Sequence, residues 1–153
     1  MVTKQPTARH RKGRQDSRRP REYRGVARVL LADDNPTSRL TLQTVLEAGG
    51  YRVDTAASAA EALGLLDQSE YALVLTDLAL ESPDAGLRVL AHARAKTYRP
   101  ATAIVTASHA SGGAGQAGML IQPQNLPELL GQVAGMISER ASKRVAREMR
   151  HAS

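Results

Sequence analysis

From Val26 onward, apolar runs of strand length alternate with stretches in which Leu, Val and Ala recur every three or four positions. Val26–Ala32 reads as a first strand. Pro36–Ala48 then places Leu40, Leu42, Val45 and Leu46 at helical spacing and stops at Gly49-Gly50. Tyr51–Ala56 alternates as a second strand, and Ser58 with Glu61 three residues on is a capping start for a helix through Leu63, Leu65 and Leu66. Ala72–Thr76 is the third and most apolar strand. Asp84–Ala95 follows as a helix carrying Leu87, Val89 and Leu90, then Ala101–Thr106 as a fourth strand and Met119–Ile121 as a short fifth. A final helix begins near Asn125, with Pro127 and Glu128 in its first turn, and runs through Leu129, Leu130, Val133, Met136 and Ile137 towards Arg150. Between strands four and five, Ala107–Gly118 holds glycines at 112, 113, 115 and 118; each costs a helix interior about 1 kcal/mol relative to Ala, which predicts a loop or a frayed turn. Five strands alternating with helices predict an α/β domain with a doubly wound parallel sheet covered on both faces.

Two of these strands stop on acids. Asp33 and Asp34 close the first and Asp77 closes the third. In a parallel α/β sheet the carboxyl ends of neighbouring strands open into one crevice, so carboxylates far apart in the chain can meet there around a cation. Taken singly, each is an ordinary turn former, and Asp34 or Asn35 would serve to cap the helix begun by Pro36.

Composition narrows the chemistry. The 153 residues suit one domain, and the absence of Phe and Trp leaves a core of Leu, Val, Ile, Ala and Met with no base-stacking platform. No cysteine means no disulfide framework, thiolate metal site or Cys nucleophile. His10, His92, His109 and His151 share no zinc-ligand spacing, and His92 reads as a surface residue in mid-helix. No secretory signal or span of membrane length is visible, and a cytoplasmic protein is expected. Charge is partitioned: residues 1–25 carry nine Lys/Arg against Asp16 and Glu22, residues 26–138 carry seven against eleven acids, and residues 139–153 carry five against two. An acidic body thus wears two basic ends. The first, rich in charge and poor in apolar residues, is expected to be a disordered tail, either merely solvated or touching nucleic acid or an anionic membrane. The second is a helical extension or tail in which Val145 and Met149 at i,i+4 fit a homodimer seam, a solvated basic tail being the simpler reading.

Val29-Leu30-Leu31-Ala32-Asp33-Asp34-Asn35, Leu73-Val74-Leu75-Thr76-Asp77-Leu78, Ala103-Ile104-Val105-Thr106-Ala107 and Leu120-Ile121-Gln122-Pro123 resemble, in order and spacing, the receiver domain of two-component response regulators. Asp33-Asp34-Asn35-Pro36 and Arg39 look most like receivers attached to hybrid histidine kinases. The resemblance covers residues 26–138, and caps alone predict no such linked spacing. It implies a flavodoxin-like fold with strand order 2-1-3-4-5 and a site above strands one, three and four. It further implies that Asp77 is the phosphoacceptor, that Asp34 ligates Mg²⁺ with Asp33 helping directly or through water, and that the backbone carbonyl of Ala79 joins the shell. Thr106 would supply a hydroxyl to a phosphoryl oxygen. The implied partners are a histidine kinase or phosphotransfer protein as donor and an output protein.

The chain also departs from the family's pattern. Gln122 stands where the family has a lysine, and Met119 where it has a rotating aromatic. The short, glycine-rich stretch from Thr106 to Gln122 implies that the fourth helix, between strands four and five, is degraded or missing. After Asp77, Glu81-Ser82-Pro83-Asp84-Ala85 carries an insertion whose acids would add a metal ligand or raise repulsion, and Gly86 comes one residue late. Two functions follow as expectations. The first is a single-domain response regulator, not an enzyme in the ordinary sense, that takes a phosphoryl group on Asp77 and signals through protein contacts. The alternative is a phosphorylation-independent pseudo-receiver acting as a protein-binding module, tethered to nucleic acid or membrane by its basic ends.

Overall fold

The computed structural model describes residues 25–105, 119–121 and 126–152. Strands β1 (Arg28–Ala32), β2 (Arg52–Ala56), β3 (Leu73–Thr76), β4 (Ala101–Val105) and β5 (Met119–Ile121) form one sheet in the order β2-β1-β3-β4-β5. Every pairing is parallel. The helices are α1 (Pro36–Ala48), α2 (Ala59–Gln68), α3 (Ala85–Arg94) and α4 (Leu126–Ala152). This is the flavodoxin-like, doubly wound arrangement. The basic tail up to Arg24 and the glycine-rich segment in which the family's fourth helix was expected to be degraded lie outside the described residues, and the last helix is described from Leu126, next to the expected start near Asn125.

Period-two alternation in the strands and helical spacing between them sort the core into two layers. Val29, Leu31, Val53, Leu73 and Leu75 face Leu42 and Leu46 of α1 and Leu129 and Val133 of α4. On the other face, Leu30, Ala32 and Val74 pack with Ala62 and Leu66 of α2 and Val89 and Ala93 of α3. Leu40 and Leu87, which the spacing placed with their neighbours in the core, are 62% and 45% exposed. Each lies two residues, hence about 200° round its helix, from a buried residue: Leu42 in α1, Val89 in α3. The α1 terminus shows why Gly50 was needed. Gly50 adopts φ 101°, and the amides of Gly50 and Tyr51 donate back to the carbonyls of Glu47 and Leu46, closing the helix and turning the chain into β2.

At the amino end of the sheet a polar knot ties β2 to its neighbours. Arg28 pairs with Asp54 at 3.0 Å, the buried Tyr71 hydroxyl donates to the same Asp54 oxygen at 2.6 Å, and the Arg28 guanidinium lies 5.4 Å from the Tyr71 ring centroid. Burial, then the Asp54 carboxylate, pushes the Tyr71 phenol well above its ordinary range. The last helix of the chain, α4, continues past Ser138 to Ala152 and measures 27 residues or about 40 Å in all. Among the described residues no helix is long and apolar enough to cross a membrane. Tyr71→Phe keeps the ring but removes a donor from a half-buried carboxylate. It is expected to lower stability by about 1–2 kcal/mol, read as a lower urea midpoint at unchanged m-value.

Candidate functional site

The β1–β3 register makes the site. Ala32 pairs with Thr76, so Asp33 and Asp77 leave the sheet side by side at the same level. The ladder runs one step past the strands: the Asp77 amide donates to the Ala32 carbonyl at 2.9 Å and the Asp33 amide to the Ala56 carbonyl at 3.0 Å. One carboxylate oxygen from each of Asp33, Asp34 and Asp77 then lies within 4.8 Å of the other two. Three carboxylates from two strand ends, brought together as the sequence predicts, form an all-oxygen donor set of the kind hard divalent cations take.

Each acid is held differently. Asp33 is buried, and both its carboxylate oxygens are engaged: Oδ1 accepts the Asn35 amide at 3.0 Å and Oδ2 accepts the Ser38 hydroxyl at 2.6 Å. Arg39 Nη1 donates to the Asp33 carbonyl at 2.9 Å, locking the peptide that carries the pair. The helix cap itself is Asn35, whose side chain accepts the Ser38 amide at 2.9 Å. Asp34 therefore does not cap α1; it is exposed, and among the described residues none donates to its carboxylate. Thr76 does more than suit a strand. It is fully buried, and its hydroxyl donates to the Asp77 carbonyl at 2.8 Å. Burial pushes the Asp77 carboxyl up from its ordinary value, the Asp33 and Asp34 charges push the same way, and the backbone amides of Ala79 and Leu78 oppose them.

The inserted loop after β3 neither adds a ligand nor crowds the site with charge. Glu81 turns away from the trio and accepts the amide of Ala59 at 3.1 and 3.4 Å, filling an orphan donor at the start of α2. Asp84 sits at the start of α3 and accepts the Ser82 hydroxyl at 3.0 Å. Gly86 is the steric requirement. A Cβ there would stand 2.3 Å from the Asp77 carbonyl oxygen and 2.4 Å from that of Leu78, so α3 can press against the loop after β3 only through a bare backbone.

Ala79 is exposed beside Asp77, whose carboxylate its amide meets. Thr106 and Gln122 lie outside the described residues, and Met119 opens β5 as the sequence predicts. His92 is held at the surface by Asp67 at 2.8 Å, where Lys96 also donates, in a contact between α2 and α3 remote from the trio. Sequence reasoning missed Ser38 and the capping role of Glu81. A hydroxyl in the first turn after Asn35 was the available signal for Ser38; for Glu81 there was none, because its partner is twenty-two residues away.

The family description "Response regulator receiver domain" matches residues 29–127. The alginate biosynthesis transcriptional regulatory protein AlgB of Pseudomonas aeruginosa is 41% identical over 83 residues, 54% of this chain and 18% of AlgB. The sensor protein EvgS of Escherichia coli is 39% identical over 56 residues, 37% of this chain and 5% of EvgS. The chain thus matches only a small part of either curated relative. Among solved structures, the receiver domain of the sensor histidine kinase PA1611 from Pseudomonas aeruginosa, with a magnesium ion coordinated in its active-site cleft, superposes with TM-score 0.65 at 26% identity. That match covers 74% of this chain and 99% of the other.

Because the folded state raises the Asp77 pKa, its charge weakens the fold at neutral pH. The cost fades as pH falls through the raised value and is gone below the ordinary 3.8, where folded and unfolded chains are both protonated. Asp77→Asn is therefore expected to melt above wild type at pH 7, with the gap closing on acidification; equal melting temperatures at pH 7 contradict the crowding of the trio. Gly86→Ala is expected to lose about 3 kcal/mol in urea unfolding, as backbone rather than a flexible side chain has to move.

Proposed function

The chain belongs to the family of response regulator receiver domains, which are signalling phosphoacceptors, and we propose that it takes a phosphoryl group onto Asp77 from a phosphohistidine of a histidine kinase or phosphotransfer protein and signals through protein contacts. The observation that carries this reading is the meeting of Asp33, Asp34 and Asp77 at two strand ends in register.

An Asp77 carboxylate oxygen attacks phosphorus as the phosphorus–nitrogen bond of the donor breaks, and the imidazole leaves with the bonding electrons. The nucleophile must stay ionised despite burial and two neighbouring acids. When bound by Asp33, Asp34 and Asp77 with the Ala79 carbonyl, Mg²⁺ supplies the positive charge that offsets this crowding and draws charge off the phosphoryl oxygens. Ser38 and the Asn35 amide keep Asp33 in place, and Thr76 fixes the peptide that aims Asp77. Asp34 presents its carboxylate on the open side, where a donor arrives. Thr106 donates its hydroxyl to a phosphoryl oxygen. Gln122, in place of a lysine, offers a hydrogen bond there without a charge. Magnesium in the cleft of the similar PA1611 receiver supports the metal assignment.

Gln122 is also what favours the second reading, a module that binds its partner without being phosphorylated. Incubation with acetyl phosphate separates the two. The intact mass of wild type is expected to rise by one phosphoryl group only when Mg²⁺ is present, and that of Asp77→Asn not at all. Mg²⁺ binding without any adduct on wild type contradicts the transfer and favours the binding module.

A further inference from the structure

At the end of the sheet opposite the carboxylates, the start of β4 forms a cavity of about 410 Å³ with the end of α3 and the projecting part of α4. Its wall carries Arg94, Arg99, Arg140, Lys143 and Arg147 against a single acid, Glu139. Its apolar lining comes from Pro100, Ala101 and Met136. Neither feature belongs to the receiver chemistry proposed for the opposite end of the sheet, where β1 and β3 end.

Two observations show that the cleft is organised rather than a chance run of charge. The Arg140 guanidinium is held by the chain itself: Nε donates to the Arg99 carbonyl at 3.0 Å and Nη2 to the Tyr98 carbonyl at 2.9 Å, which leaves Nη1 as a donor for a ligand. Arg99 holds a left-handed φ of 47°, alone among the described non-glycine residues, a conformation that costs a long side chain free energy. Burial, followed by the charge of Arg144, lowers the Arg140 pKa from its ordinary value, with Arg147 pushing the same way and Glu70 opposing. An anion in the cleft would relieve that like-charge crowding.

We propose that this cleft binds a small soluble oligophosphate, a ligand with at least two linked phosphate groups. The Arg99 and Arg147 guanidinium groups, the remaining Nη1 of Arg140 and the ammonium of Lys143, which pairs only loosely with Glu139 at 3.8 Å, match several phosphate oxygens at once, where a single phosphate would engage only part of the wall. The volume falls within the range of small-molecule sites, about 300–1,000 Å³, and the apolar lining accommodates an uncharged portion. A nucleic acid is the poorer fit, since no aromatic ring lines the cleft to stack a base.

Isothermal titration of the full chain with inorganic tripolyphosphate, in metal-free buffer at about 0.15 M salt, tests the proposal. Saturable one-to-one binding is expected, and Lys143→Gln with Arg147→Gln should weaken it roughly tenfold or more. Arg52→Gln with Arg88→Gln removes the same charge from exposed positions outside the cleft lining and should change affinity by less than about twofold. Lys143 and Arg147 sit on the outer part of α4 and Arg52 and Arg88 are exposed, so folding is not at stake, and the basic residues 1–25 are common to every variant. Equal weakening by the two pairs, no saturable binding, or binding of a short DNA duplex without binding of tripolyphosphate would each overturn the assignment.

Discussion

The pairing of Ala32 with Thr76 across β1 and β3 is the constraint on which the rest depends. It brings Asp33 and Asp77 out of the sheet at one level, and the side-chain period of a strand makes that level all-or-none. A slip of one residue in β1 would turn Val29 and Leu31 from the α1/α4 layer into the α2/α3 layer and carry Asp33 away from Asp77. The two apolar layers therefore do more than stabilise the fold: they hold the register, and the register holds the carboxylates together.

Holding them together has a cost, visible in the upward shift of Asp77. What offsets it locally is hydrogen bonding to the acids and their backbone: Ser38 and the Asn35 amide at Asp33, Thr76 behind Asp77, and Arg39 on the peptide of Asp33. The same logic explains the loop after β3. Glu81 is drawn to the start of α2 and so adds no fourth negative charge to the trio, while Gly86 lets α3 pack on the backbone of Asp77 itself. The site is thus a charged cluster made tolerable by hydrogen-bond donors and able to take a cation.

Much of this was legible in the sequence because the signals were local. Pro36–Ala48 and Met119–Ile121 have the bounds the sequence predicts, since Gly49-Gly50 stops one and a short apolar run defines the other. The parallel order followed from alternation together with linked motifs. What escaped was tertiary: Leu40 and Leu87 satisfy a helical spacing yet fall off the stripe that meets the sheet, and Glu81 finds a helix start that only the fold brings near. Asp33 and Asn35 show the finer limit. Capping and ligation were competing readings of neighbouring residues, and the chain divides the tasks, Asn35 capping and Asp34 left open. The cationic cleft was invisible for the same reason as Glu81, since Arg94, Arg99 and Arg140 are spread over three elements.

The central claim is that strand register alone assembles a cation site from Asp33, Asp34 and Asp77. A titration of the ¹⁵N-labelled chain with Mg²⁺, followed by amide chemical shifts, tests it most directly. Saturable shifts confined to the turn Asp33–Asn35 and the loop Asp77–Ala79 are predicted. Shifts spread over the acidic surface without saturation, or none at the two strand ends, would contradict it.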